Sequence, residues 1–154
     1  MSTFNAISWP LLFWSGLFAY IGFSWLLILL RVLGLTRYVP RSYWAARLFG
    51  NTRGFAMFGG RVLRAFALIV LIPLPYVLVF EIAGNADLRF GVLLGVTHAV
   101  FVGLTLPLIA GRAKGTLEPG LFGWRLGAAT PLLILITYAF YGAILGYVYV
   151  IPSP

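Results

Sequence analysis

The 154-residue chain is 62% apolar and 9% charged, contains no cysteine, and has a mean hydropathy of +1.01. So few charged side chains cannot coat a water-soluble globule of this size, in which they would make up about a quarter of the residues. The formal charge of +8 would by itself raise nucleic acid as a partner, so the position of the charges decides what they mean.

No charge occurs in residues 1–30, 65–80, 90–111 or 126–154. A membrane-crossing helix needs roughly 20 mainly apolar residues at about 1.5 Å each. These stretches predict an all-α, four-transmembrane-helix bundle, with helices at about 10–33, 62–83, 89–110 and 127–150 of a single integral membrane domain over 1–154. The second stretch is short, and Arg64 and Glu81 at its ends lengthen it by sending their charged tips toward the headgroups. Open sheets are excluded in lipid because their edges leave backbone groups unpaired, and the long apolar runs lack the alternation of a β-barrel.

In the first predicted helix Ser15, Ala19 and Gly22 share one side. Trp9, Trp14, Trp44 and Trp124 fall near predicted boundaries, as an aromatic belt requires, whereas Trp25 lies deeper and reads as a packing residue. The following loop carries Pro40 to Phe49, which opens on a proline suited to a first helical turn and ends at Gly50. Its arginines and aromatics predict a short interfacial helix in the first cytoplasmic loop.

The second helix holds Pro73 and Pro75 near mid-span, where each removes a backbone donor and predicts a kink or a loosened ladder. The third holds Gly91 and Gly95, with Gly103 beyond, and the fourth Gly142 and Gly146 beside Ala139 and Ala143. Four-residue glycine spacing lets helix backbones approach closely; packing within the chain and association with another subunit use the same signal.

Seven arginines and no acid lie in residues 31–64: Arg31, Arg37, Arg41, Arg47, Arg53, Arg61 and Arg64. The 81–89 segment has a net charge of −1 and the 112–125 segment +2. The positive-inside rule then puts the first and third connections in the cytoplasm and both termini outside. Beside a membrane surface the arginines favour anionic lipid headgroups and orient the chain, and no segment offers a solvated domain for nucleic acid. Residues 1–9 also lack the positive n-region of a cleaved signal peptide.

His98, the single histidine, lies roughly 12–14 Å below the outer face by helix rise. At similar depth the fourth helix presents Tyr138 and Tyr141. A neutral imidazole hydrogen-bonded to one of these tyrosines satisfies both where water is scarce. The alternatives for His98 are axial ligation of a pigment or haem and a station in a proton relay. Glu81, Asp87 and Glu118 form no intramembrane pair, which counts against a proton-coupled exporter. Paired catalytic carboxylates, a zinc ligand set and a Ser/His/Asp triad all lack enough suitable residues. The Gly111 to Thr116 run reverses the Gly-Lys-Thr order of a phosphate loop and follows no strand. The expectation is a non-enzymatic protein with no metal or resident cofactor.

Three stretches resemble a family of small, uncharacterised bacterial integral membrane proteins built on four helices. They are Gly16 to Arg37, ending Arg31-Val32-Leu33-Gly34-Leu35-Thr36-Arg37 ahead of Leu48-Phe49-Gly50; Phe90 to His98 with Leu106-Pro107; and Tyr141 to Tyr149. The resemblance implies a multi-pass protein of the bacterial inner membrane. Relatives of this kind often carry a second histidine in the second or fourth helix; here Tyr138 or Tyr141 occupies the comparable region, which argues against an inherited metal or haem role.

Glycine contact faces, interfacial aromatics and the scarcity of reactive groups together point to a structural or accessory subunit of a larger membrane complex, such as an energy-transducing one. Its expected partners are membrane lipids and other membrane subunits. The other class is a small transporter or a pigment-, quinone- or lipid-binding bundle using a pocket around His98, Tyr138 and Tyr141.

Overall fold

The computed structural model describes residues 7–37, 54–110 and 118–150, and among them every regular element is helical. Helix α1 is Trp9–Val32; α2 is Gly54–Phe66, continued by a π-helical turn at Ala67–Leu71 into α3, Pro73–Ala83. Helix α4 is Leu88–Ala110, and a 3-10 turn at Leu121–Leu126 leads to α5, Thr130–Val148. Four spans are long and apolar enough to cross a bilayer: α1, the composite Gly54–Ala83, α4 and α5. The chain is a multi-pass integral membrane protein.

Local chemistry sets the ends of the spans. Prolines occupy the first turns of α1 and α5, where the missing N–H would have had no helical acceptor; Pro73 instead follows the π turn inside a continuous span. Gly84 ends α3 in the left-handed conformation, φ +62°, at low steric cost because it has no Cβ. Asp87 then caps α4, its Oδ1 accepting the Phe90 N–H at 2.7 Å. That bond holds the carboxyl below its usual pKa, with help from the Asn85 side-chain amide and despite partial desolvation.

The second span starts at Gly54, eight residues before the position that charge alone predicts. Arginine does not stop a helix. Arg61 points outward, while Arg64 is buried with its guanidinium 5.9 Å from the Tyr20 ring centroid and 5.5 Å from that of Phe23. The fourth span is shorter than the predicted 127–150 because its first residues belong to the turn leading into α5. Trp25 does not pack inside the bundle: it is 69% exposed on the outer face of α1. Every face of a membrane helix is apolar, so depth along the helix does not say which side a large ring takes. The expected interfacial helix from Pro40 to Phe49, with Arg41, Trp44 and Arg47, lies outside the described residues, as does Arg53.

Span 4 is the centre of the bundle, packed along α4 on one side and α1 on the other. The α4–α5 seam is made by the glycines. A Cβ added at Gly91 or Gly142 would overlap the carbonyl oxygen of the other residue; one at Gly95 would overlap that of Tyr138, and one at Gly146 that of Asp87. The two glycine motifs therefore meet each other within one chain, and backbone contact replaces the hydrophobic drive that lipid does not supply.

Each end of the bundle has its own clamp. At the arginine-bearing end the Thr36 and Thr130 hydroxyls are 3.0 Å apart, and the Arg37 N–H donates to the Leu126 carbonyl at 3.1 Å. At the other end the Tyr149 hydroxyl donates to Glu81 Oε1 at 2.6 Å, and its ring stacks on Phe80. Spans 2 and 3 follow one another in the chain but splay apart beyond their turn, and the site lies in the opening.

Candidate functional site

The site begins with the prolines. In the π turn the Ile72 N–H reaches back five residues to the Ala67 carbonyl, at 2.7 Å. The Leu68 carbonyl loses its usual donor, Ile72, and the next candidate, Pro73, has no N–H. A carbonyl left unpaired in a dry interior is costly. Tyr141 on α5 supplies the missing donor: its buried hydroxyl donates to Leu68 O at 2.5 Å. On the opposite side Gly16 of α1 leaves room for the Ile69 carbonyl, where an added Cβ would overlap the oxygen and lie 2.8 Å from Pro73 Cγ. Two neighbouring spans thus stabilise an interrupted helix that its own sequence leaves incomplete.

Above this turn, aromatic side chains from all four spans form a closed ring. Centroid separations are 5.1 Å for Phe23–Tyr138, 4.7 Å for Tyr138–His98 and 5.7 Å for His98–Tyr76. The ring closes through Tyr76–Tyr141 at 6.0 Å and Tyr141–Phe23 at 5.9 Å. Three of the five contacts are edge-on or T-shaped, the arrangement the ring quadrupoles favour. Arg64 adds its charge over the Phe23 ring.

The hydrogen-bond partner of His98 differs from the expected one. Tyr138 meets the imidazole ring to ring, and Tyr141 is engaged with Leu68. The partner is Tyr76, with its hydroxyl 2.8 Å from His98 Nδ1. The direction of this bond follows the imidazole tautomer: with the ring proton on Nε2 the Tyr76 O–H donates to Nδ1, and with it on Nδ1 the ring donates to the Tyr76 oxygen.

Sequence reasoning missed Tyr76, although a signal was present. Tyr76 and His98 lie eight residues before Gly84 and eleven after Asp87, so a tight hairpin brings both to a similar depth. Arg64 was also misplaced. Expected at the headgroups with Arg31, Arg37 and Arg61, it is instead buried against aromatic faces, a setting that suits the weakly hydrated guanidinium. Arg31, Arg37 and Arg61 are exposed.

Where spans 2 and 3 diverge, a groove of about 440 Å³ opens sideways. The ring residues Tyr76 and His98 line it together with Pro75, Leu94, Thr97 and Phe101. No charged side chain is among its lining residues. The Thr97 hydroxyl already donates to the Leu93 carbonyl at 3.0 Å, so it offers only an acceptor. Among the described residues no three His, Cys, Asp or Glu side chains gather as a metal site.

The geometry defines a membrane-embedded helical bundle with a lateral, aromatic-floored groove. The chain matches no family model, no curated protein and no solved structure.

Proposed function

We propose that the chain is a non-enzymatic membrane protein that takes a lipid-soluble molecule from the bilayer into the groove between spans 2 and 3. One observation carries this reading: a cavity of ligand size, about 440 Å³, opens where the helix is interrupted, and its mainly apolar, uncharged wall holds the Tyr76–His98 pair and the Thr97 hydroxyl. Pockets of this size with few convergent polar groups are the usual form of a small-molecule site.

The test is to purify the full chain from native membranes in mild detergent, extract it with organic solvent and compare the extract with bulk lipid by mass spectrometry. A molecule should be enriched stoichiometrically, and Leu94→Trp, which fills the groove, should remove it. An extract matching bulk lipid would refute the reading.

The accessory-subunit role is a second reading. The glycine faces that first pointed to it meet within the chain, and its remaining support is the exposed aromatic ridge of Phe55, Phe58 and Phe66 along α2. Partners recovered in stoichiometric amounts would support it. For orientation we propose a bacterial inner membrane with both termini outside, because the arginine-rich connections belong beside the cytoplasmic leaflet.

A further inference from the structure

We infer that the groove ligand is a quinone-type lipid, an uncharged molecule with a flat carbonyl-bearing head, and that His98 Nε2–H donates to its carbonyl oxygen. This rests on the groove being a binding site and narrows what it binds.

The donor inventory leads to this class. The Tyr76 hydroxyl lies 2.8 Å from Nδ1; in the tautomer this assignment uses, Tyr76 donates to Nδ1 and the imidazole proton is on Nε2. Nε2 has no acceptor among the described residues, and the ring lines the groove. A donor in a water-poor wall without an acceptor is unfavourable, so the best occupant brings an acceptor to it. An acyl chain would fill the volume but leave the N–H unpaired. A charged headgroup would find no counter-charge among the lining residues.

Ligation of a haem or chlorin metal fits poorly. It needs the Nε2 lone pair, so the proton would have to move to Nδ1 and be donated to Tyr76, whose own O–H would then have no acceptor among the described residues. The groove walls suit a flat head instead: the Tyr76 ring and Phe101 on either helix, and Pro75 in the first turn of α3.

Because the chain has one histidine, the test can be direct. Full-length protein labelled with 15N-histidine is placed in phosphatidylcholine nanodiscs and titrated with decylubiquinone or with decylbenzene, which has a comparable tail but no carbonyl. The resting spectrum should show the Nε2–H tautomer. Decylubiquinone should shift the Nε2 resonance and leave Nδ1 nearly unmoved, and should bind roughly two- to tenfold more tightly than decylbenzene, the worth of one hydrogen bond. His98→Phe should abolish that preference while retaining binding of both probes. An Nδ1–H resting tautomer, or equal binding of both probes without an Nε2 shift, overturns the quinone assignment and leaves the groove reading standing. If neither probe binds, both fall.

Discussion

Replacing Tyr141 by phenylalanine removes one oxygen and leaves the ring against Phe23 and Tyr76 in place. The change isolates the bond to the Leu68 carbonyl, whose normal donor is diverted to Ala67 and whose next candidate is a proline. An orphaned buried acceptor costs about 1–3 kcal/mol, whereas interhelical hydrogen bonds in membrane bundles average about 0.6 and reach about 1.7 kcal/mol. The Leu68 carbonyl has no backbone alternative in the native register, so Tyr141→Phe should lie near the upper membrane figure, about 1.5 kcal/mol. That is roughly a tenfold change in the unfolding equilibrium, measurable by reversible unfolding in mixed micelles with tryptophan fluorescence. Pro73→Ala provides the decisive background. With an N–H restored at residue 73, the turn can relax to ordinary helical pairing and supply Leu68 from its own strand of backbone. Tyr141→Phe should then cost less than half as much, and a double-mutant cycle should show that coupling. Equal costs in the two backgrounds would refute the account of Tyr141 as the donor that completes the broken helix.

Gly142→Val should destabilise the bundle by at least about 2 kcal/mol, because the new Cβ meets backbone that cannot rotate away, including Gly95 atoms at 2.9 Å. Leu108→Ala on the exposed outer face of α4 should stay within about 0.5 kcal/mol in the same unfolding assay. Stability should decline at both extremes of pH. The Asp87 carboxyl is held low chiefly by the Phe90 N–H, so its contribution is present above the ordinary carboxylate range and is lost as pH falls through the depressed value. Tyr149 is raised above its ordinary 10.0 by burial first and by Glu81 second, so folding is favoured below that value and loses stability as pH climbs above it. Amide exchange at Leu88 to Phe90 should report the acid effect, and Glu81→Gln should reduce the alkaline one. For orientation, the cysteine-free chain accepts single probes directly: a membrane-impermeant maleimide added to intact cells should label Asn85→Cys and spare Leu121→Cys. The reverse pattern would overturn the proposed topology.

The four helices were legible because lipid imposes one requirement, roughly 20 uncharged residues per crossing, that the spacing of the charges displays openly. The glycine seam was legible as a pattern but not as a pair. Spacing shows that Gly91, Gly95, Gly142 and Gly146 permit close approach, yet any helix with such a face is an equal candidate until the chain is folded. Facing was hidden more thoroughly. Trp25 looked internal because α1, apolar on every side, carries no amphipathic stripe to separate its two sides, and Arg64 looked external because a charge at the end of an apolar run is expected among headgroups.

From the sequence alone follow the class of protein, the number of crossings and the two prolines that weaken the second helix, each a consequence of local composition or of a missing N–H. Tertiary structure alone decided who answers those local defects: Tyr141 completes the backbone at Leu68, Gly16 makes room for Ile69, and Tyr76 makes the hydrogen bond to His98 that a tyrosine of the fourth helix was expected to make. Which side chain meets an orphaned group depends on the rotation and register of helices distant in the chain, and in a membrane those are set by small-residue contacts and hydrogen bonds that no single helix contains.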